Sequence, residues 1–581
     1  MIVDNSEIDS YNQLSEEVEF YRTDAARRLP SNTRSALGQF MTPAPVASFM
    51  ASLFRNPLLR KMHLLDPGAG VGSLTAAFVE KVCRDNSPVE KLNVTAYEID
   101  ALLIPYLDST LKSCLKECEA AGIEFNYEIV HRDFLGSATE MLNEDLFSSG
   151  RPNLNFTHVI LNPPYKKIHS DSKARLLLRS VGIETSNLYA AFLALAIKML
   201  EKNGELVAIV PRSFCNGPYF KLFRKFLFEQ MGLQHVHVFE SRDQTFQDDE
   251  VLQENLIMYA IKGGKNRQVA ITSCAGPQFE DMTIFKVSAD QIVDRNDSEL
   301  VMHLVTSSLD QYVIDRMRVF TQSLDDLKIE VSTGPVVDFR LHQHISYEPI
   351  EQSIPLVYPS HFENHFVKWP KINSRKPNAL TNAHAVQKWL FPNGNYTLVR
   401  RFSAKEERKR IVAAIHHSHA VPSEQIGFEN HLNVFHANHR GLASELAQGL
   451  AVYLNATLVD IYFRQFNGHT QVNASDLRTL RYPDEQFLKT LGALAKDDNF
   501  PTQDEIDTIL EKRIQTMAKI SSPDPVRIKK RIAEAIAILR ELGLPKAQQN
   551  ERSGLTLLAI TSVKPNGGVV QTVAVRLWLT G

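Results

Sequence analysis

Cysteine is scarce in this chain. Only Cys83, Cys114, Cys118, Cys215 and Cys274 occur in 581 residues. So sparse and odd a set excludes a disulfide framework and points to a reducing compartment. Cys114 and Cys118 are spaced to share a helix face, yet no second Cys or His pair completes a zinc site, so no metal is expected. Long hydrophobic runs are also missing. The longest, LYAAFLALAI, is too short to span a bilayer, and the polar, acidic start MIVDNSEIDS is no signal peptide. Nor is there an excess of one charge. Sixty-four Lys and Arg stand against 67 Asp and Glu, a net charge of -3, so any nucleic-acid contact must rest on local patches. Internal repeats and low-complexity segments are absent. The remaining balance, 44% hydrophobic and 23% charged, is that of a cytoplasmic globular protein with roughly two to four domains.

Residues 10–30 carry a helical pattern that ends at Pro30. Thr42 stands where a side chain caps a helix beginning at Pro43. From about 62 to 165, strands alternate with helical patterns: HLLD (63–66), LNVTAYE (92–98), NYEIVHRD (126–133) and THVILN (157–162). A long apolar helix, 187–201, feeds a fifth strand, GELVAIVP (204–211). HVHVFE (235–240) and NLIMYAIK (255–262) read as further strands. The alternation predicts an α/β fold, a Rossmann-like, doubly wound and mostly parallel sheet. Beyond about 265, short strands, scattered Pro and Gly and many His and Asn predict an irregular α+β domain. After 485 the pattern turns helical, with two helices over 524–560 joined at Gly543-Leu544-Pro545. The expected domains are 1–265, 266–485 and 486–581.

Between the first strand and its helix lies Asp66-Pro67-Gly68-Ala69-Gly70-Val71-Gly72. Glycines there let the backbone turn sharply and approach a ligand. The spacing is not that of a dinucleotide-binding G-x-G-x-x-G, and Asp66 disfavours a pyrophosphate while tolerating a cationic cofactor. A plain tight turn is the alternative. Glu98 ends the second strand, where a carboxylate accepts both hydroxyls of a ribose, and Asp133 ends the third, where it accepts from an exocyclic amine. Either acid alone reads equally as a helix cap or loop charge. Together, three acids end three successive strands on the carboxyl edge, where open α/β sheets bind ligands. The fourth strand stops in Asn162-Pro163-Pro164-Tyr165, because neither proline has an N–H for the sheet.

The order GQFMTP, LDPGAGVG, YEID, RDF, NPPY resembles the S-adenosyl-L-methionine-dependent adenine-N6 DNA methyltransferases of type II restriction–modification systems. The arrangement is similar to the gamma class of Eco57I, PstI and BsuBI type, with the Thr-Pro motif ahead of the glycine loop and target recognition C-terminal. The resemblance covers residues 30–265 most strongly. It implies that Thr42, Pro43, Asp66, Pro67, Gly68, Ala69, Gly70, Glu98, Asp133 and Phe134 line the cofactor pocket, with Phe192 of NLYAAF against the cofactor's adenine. It also implies double-stranded DNA as substrate, no membrane, a monomer in the cytoplasm at the nucleoid, and a cognate restriction endonuclease as a genetic rather than physical partner. VNASDLRTLRYP (472–483) resembles the close of family recognition domains, and 524–565 resembles a helix-turn-helix of PstI/BsuBI-type proteins. The final GGVVQTVAVRLWLTG departs from that module and reads as a short hairpin, or as an altered or truncated end.

The implied chemistry fits the residues. The lone pair of an adenine N6 amine is delocalised into the ring. Two acceptors aimed at its hydrogens, Asn162 Oδ1 and the Pro163 carbonyl, localise that lone pair and strengthen as positive charge develops. Pro163 and Pro164 hold the corner rigid, and Tyr165 stacks on a base that has left the duplex. Phe246, in a segment that resembles the family's, is expected on the other face of the base. Asn162 favours adenine, since cytosine-N4 enzymes of the superfamily generally carry Ser there. Lys166 and Lys167 suit flanking phosphates or simply a solvated surface. YTLVRRFSAKEERKRIVAA (396–414) suits DNA contact, as do Arg527, Lys529, Lys530 and Arg531, and a solvated face explains the former equally well. RNA-base and protein-glutamine methyltransferases use the same corner, although the glutamine enzymes are shorter and lack the upstream Thr-Pro motif. No Asp followed by Glu-x-Lys marks a fused nuclease, and a non-catalytic DNA-binding module is the alternative from another class.

Overall fold

The computed structural model describes residues 13–29, 41–55, 59–85, 88–147, 156–239 and 255–521, together with 555–563 and 569–578. Within 255–521, positions 266, 275, 277, 280–281, 296, 374, 404–406, 468–469 and 496–498 are left out.

The expected α/β sheet is present. Its strands are β1 (Lys61–Pro67), β2 (Lys91–Tyr97), β3 (Glu124–Val130), β4 (Phe156–Leu161), β5 (Leu200–Pro211), β6 (Met231–Phe239), β7 (Asn255–Lys262), β8 (Gln268–Cys274) and β9 (Thr283–Ser288). Their order across the sheet is β3-β2-β1-β4-β5-β7-β6-β8-β9. β1 to β5 run parallel, whereas β7 lies antiparallel between β5 and β6. β1 and β4 are continuous apolar runs at their carboxyl ends and are buried on both faces there, as parallel strands covered by helices must be. The helix Leu188–Met199 is apolar all round and lies almost wholly inside the core. Strand order reverses between β1 and β4, so the loops after these two strands border one crevice. β8 and β9 carry the sheet through Ser288, past the boundary expected at 265.

Downstream the strands are short, as their Pro- and Gly-broken sequence implies. One six-stranded sheet is centred on Tyr396–Arg400 and Leu432–His436, and a five-stranded one on Ile354–Val357 and Gln425–Phe428. Polar bonds from buried side chains tie this region to the nine-stranded sheet. Asn216, just beyond the end of β5, donates to Asp476 Oδ1 at 3.0 Å, and Arg212 Nη2 donates to the Arg464 carbonyl at 2.7 Å. The wholly buried Arg224 donates to the carbonyls of Phe214, Asn216, Gly217 and Glu299. Residues Met1–Leu510 accordingly form one compact unit, and Glu511–Gly581 form a second.

In the second unit the helices expected over 524–560 fall mostly outside the described residues. From Leu555 the chain is instead strand, Leu555–Val563 pairing antiparallel with Val569–Trp578. The described part of the tail is thus one strand of an antiparallel pair rather than a hairpin by itself, and its partner begins before Ile560, where a helix was expected. Among the described residues no single helix is long and apolar enough to cross a membrane.

One packing contact yields a test with an unusual sign. The helices Ser444–Leu454 and Glu485–Gly492 cross so closely that a Cβ on Gly449 would lie 1.8 Å from the Leu488 carbonyl oxygen. In an open helix, Gly→Ala stabilises by about 1 kcal/mol. Here Gly449→Ala must force the backbones apart and is expected to destabilise by about 3 kcal/mol or more. Thermal unfolding of the variant at or above the wild-type midpoint would refute the packing.

Candidate active site

The loop after β1 is shaped by its glycines. The Gly68 and Ala69 N–H groups both donate to the Tyr97 carbonyl, at 2.9 and 2.8 Å, which folds the loop back over β2. Gly70 and Gly72 have φ of 61° and 90°, a left-handed backbone that costs side-chain-bearing residues. A Cβ on Gly72 would also strike Thr110 at 2.8 Å. The loop thereby opens into the crevice, a cavity of about 1020 Å³ out to its mouth.

Most of the predicted residues meet there. Thr42, Gly68, Ala69, Gly70, Glu98, Asp133, Phe134, Asn162, Pro164 and Phe192 all line the cavity. Phe134 and Phe192 pack at 5.1 Å between ring centres and form an apolar floor, with Tyr97 edge-on behind Phe134. Sequence reasoning passed over Met41, Ile99, Arg132 and Leu188, which also line it and stand inside GQFMTP, YEID, RDF and NLYAAF beside the residues it chose.

The expected roles of Thr42, Asp66 and Pro67 need correction, and Glu98 and Asp133 carry structural bonds as well. Thr42 does not cap the following helix. That helix runs Ala44–Ser52, Pro43 is its N-cap, and the Ala44 N–H donates to Glu19 Oε2 at 3.1 Å. The Thr42 hydroxyl instead accepts from Asn162 Nδ2 at 3.1 Å. Asp66 and Pro67 lie behind the cavity wall rather than in it. Asp66 is fully buried, Thr75 Oγ1 donates to its Oδ2 at 2.7 Å, and its Oδ1 has no hydrogen-bond partner among the described residues. Glu98 lends part of its carboxylate to the fold. Its Oε2 accepts from the Gly70 N–H at 2.8 Å and its Oε1 from Asp100 at 2.7 Å, while burial pushes the carboxyl up. Asp133 is both cap and wall, since it accepts from the N–H groups of Leu135 and Gly136 at 3.3 and 3.0 Å and also faces the cavity. Phe246 lies outside the described residues.

At the end of β4 the Asn162 amide is held at both ends. Nδ2 donates to Thr42, and Oδ1 accepts from the Tyr165 hydroxyl at 3.1 Å. An amide oxygen has two lone pairs and can accept two hydrogens. Burial raises the Tyr165 phenol, so it stays a donor at neutral pH. The Tyr165 ring meets Tyr189 edge-on, 6.3 Å away. Lys166 and Lys167 are exposed beyond it. Pro163 is buried in the corner.

The cavity fits S-adenosyl-L-methionine by its donor set. Carboxylates at Glu98 and Asp133, with Asp66 behind, suit a cation and hydroxyl or amine donors, and the glycine loop leaves room that side chains would fill. The aromatic floor suits a purine. Among the described residues no group of three or more His, Cys, Asp or Glu is placed to hold a metal.

The expected basic surface over 396–414 is largely turned inward. Arg410 is buried, donating to Ser403 and Asn467, and its own N–H goes to Asp460. Arg400 pairs with Glu407, and Lys409 reaches the Asn455 carbonyl and Gln503. Arg408 is exposed and Arg401 half-buried; Lys405 lies outside the described residues, as do Arg527, Lys529, Lys530 and Arg531.

Burial pushes the Asp66 carboxyl up to about 7, the Glu98 charge adding to the rise. A folded-state value above the unfolded one means that folding favours the protonated acid. This contribution is complete below about pH 4 and is lost as pH rises through about 7, a change on the order of 4 kcal/mol. Asp66→Asn is expected to flatten that part of the stability profile, measured as unfolding midpoints of the cofactor-free protein from pH 5 to 8. Parallel profiles for variant and wild type would contradict it.

Comparisons with known proteins agree with this geometry. The family model described as "Eco57I restriction-modification methylase" matches residues 93–246, and "BsuBI/PstI restriction endonuclease HTH domain" matches 529–578. The described part of the latter stretch is the antiparallel strand pair, not a helix-turn-helix. Type II methyltransferase M.BsuBI of Bacillus subtilis is 45% identical over 480 residues, 82% of this chain and 94% of that protein. Type II methyltransferase M.PstI of Providencia stuartii is 43% identical over 503 residues, 86% of this chain and 97% of that protein. The type IIL restriction-modification enzyme MmeI in complex with DNA aligns over 93% of this chain and 78% of its own, with 12% identity and a TM-score of 0.47. With its cofactor crevice, its NPPY corner and relatives alike over nearly their whole length, the chain belongs to the S-adenosyl-L-methionine-dependent type II DNA methyltransferases of restriction–modification systems.

Proposed function

We propose that the chain is an adenine-specific DNA methyltransferase, marking N6 of an adenine flipped out of a short duplex sequence. The observation that carries this reading is the orientation of Asn162 at the edge of the cofactor cavity, with Nδ2 on Thr42 and Oδ1 toward Tyr165. Bound S-adenosyl-L-methionine supplies an electrophilic methyl group on a sulfonium. Asn162 Oδ1 and the Pro163 carbonyl accept the two N6 hydrogens and stabilise the charge that develops on nitrogen. Thr42 and Tyr165 keep the amide in the one orientation that presents oxygen. The rigid Pro163-Pro164 corner limits the entropy lost in positioning. Tyr165 and Phe246 hold the faces of the base, Phe192 and Phe134 the purine of the cofactor, and Glu98 and Asp133 its polar ends. No strong base is needed, because the proton leaves after transfer.

In this reading the region after β9, to about residue 485, recognises the duplex, and the monomeric enzyme works on nucleoid DNA in the cytoplasm. It protects that DNA from a cognate endonuclease to which it is related genetically rather than by contact. The M.BsuBI and M.PstI relatives favour DNA over RNA or a protein glutamine as substrate.

Modification-sensitive sequencing of DNA from cells expressing the protein is expected to reveal N6-methyladenine at one short motif. Asn162→Ala is expected to lower methyl transfer at saturating cofactor by roughly 10²–10³-fold, the cost of losing one preorganised transition-state partner. Its affinity for S-adenosyl-L-methionine, measured by calorimetry, should stay within a few-fold of wild type. Methylation at cytosine, or none, would overturn the proposal.

A further inference from the structure

Glu429 sits in the turn between the strands Gln425–Phe428 and Leu432–His436, and its side chain has no exposed surface. Burying a carboxylate is costly unless its oxygens are satisfied. Both oxygens here serve one residue, His431. Oε2 accepts from the His431 N–H at 2.9 Å, and Oε1 lies 2.5 Å from Nδ1. The imidazole nonetheless stays 42% exposed. A buried carboxylate so placed fixes the ring's tautomer and aim, with Nδ1 inward and Nε2 turned outward.

A neighbouring side chain is aimed in the same way. Gln471 Oε1 accepts from Arg401 Nη2 at 3.1 Å, which leaves the amide Nε2 as the group on offer. Arg401 is in turn anchored by Nη1 to the Asn430 carbonyl at 3.2 Å. Between them stands Phe402, 41% exposed, with its ring 4.8 Å from His431 and the Arg401 guanidinium over it. Backbone bonds lock the three segments together, Arg401 N–H to the His431 carbonyl at 2.8 Å and Val472 N–H to the Arg401 carbonyl at 2.7 Å.

The cluster is also fastened to the catalytic sheet. The Asn473 N–H and Asn467 Nδ2 both donate to Asp476 Oδ2 at 2.9 Å, and Asp476 Oδ1 holds Asn216 beyond the end of β5. β5 is the neighbour of β4, whose end carries Asn162. Burial holds the Asp476 carboxyl up at about 6.

We propose that His431, Gln471 and Phe402 read base edges of the recognition sequence, with Glu429 and Arg401 as their positioning residues. The inference rests on the reading of the chain as a sequence-specific modifier of duplex DNA. With its oxygen turned to Arg401, Gln471 presents its Nε2 hydrogens outward. It therefore favours an acceptor edge, guanine N7 and O6 or thymine O4. His431 presents Nε2 beside it, and Phe402 gives an apolar surface to a thymine methyl or a base step.

The test is methylation of a duplex library with randomised sites, read by sequencing, for wild type and for His431→Ala, Gln471→Ala, Gln471→Glu and Glu429→Gln. His431→Ala and Gln471→Ala are expected to keep wild-type affinity for S-adenosyl-L-methionine while losing about 10-fold or more of the discrimination at one base pair each, the scale of one side-chain–base contact. Gln471→Glu should shift preference at its position toward cytosine, whose N4 is a donor. Glu429→Gln should reproduce the His431→Ala pattern. An unchanged motif with unchanged discrimination in both surface variants would overturn the proposal, as would an equal loss on every sequence. The motif is read whichever base receives the methyl, so a wild type that marks cytosine refutes the adenine reading and leaves this test standing.

Discussion

Asn162 is a primary amide, and an amide turned end for end would offer hydrogens where the chemistry needs a lone pair. The two bonds that prevent this come from opposite directions. Thr42 takes the nitrogen and Tyr165 supplies a hydrogen to the oxygen. Each is worth only about 1 kcal/mol on its own, but together they settle an orientation that the free side chain would leave nearly balanced. Much of the surrounding structure serves this clamp. Thr42 is brought to the crevice by the helix Ala44–Ser52, which is buried through Val46, Ala47, Met50 and Ala51 and packs chiefly on the helix Ser73–Arg84. Tyr165 is set by the Pro-Pro corner and by the aromatic contact with Tyr189 on the buried helix.

The same crevice gathers acids on a scale a fold would not otherwise favour. Asp66 is buried with one oxygen lacking a hydrogen-bond partner among the described residues, and Glu98 is almost buried while holding the glycine loop through Gly70. Their desolvation opposes folding, and a cationic cofactor with hydroxyl and amine donors is the ligand such a site suits. The loop conformation depends on Glu98, the cavity on the loop, and the cofactor's position on the cavity. Glu98 therefore belongs as much to the backbone of the site as to its binding surface.

Legibility in the sequence followed the range of the interaction. β1, β2 and β4 were readable from their apolar carboxyl halves and β3 from its alternation, and the observed strands differ from the expected ones only by a few terminal residues. β8 and β9 were passed over because the composition changes near 265 although the hydrogen bonding does not. The Thr42–Asn162 bond had no local signal. Thr before Pro is a good cap pattern, and only the folded chain brings a partner 120 positions away to its hydroxyl. Asp133 was ambiguous in the sequence and serves both purposes in the structure. Arg410 and Arg408 look alike in a run of charges, but one is buried and the other exposed. The stretch from Leu555 shows the limit of periodicity, since LTLLAI suits a helix or a strand and the partner strand decides.

The clamp on Asn162 is the claim on which the catalytic account stands, and it is tested most directly at Thr42, which takes the amide nitrogen. Thr42→Val keeps the shape of the side chain and removes the acceptor for Asn162 Nδ2. The measurement is the single-turnover rate of methyl transfer at saturating S-adenosyl-L-methionine and saturating duplex, so that changes in binding do not enter. The account predicts a rate lowered by about 10-fold or more, as expected for an amide no longer held with its oxygen toward the amine. A wild-type rate would contradict it.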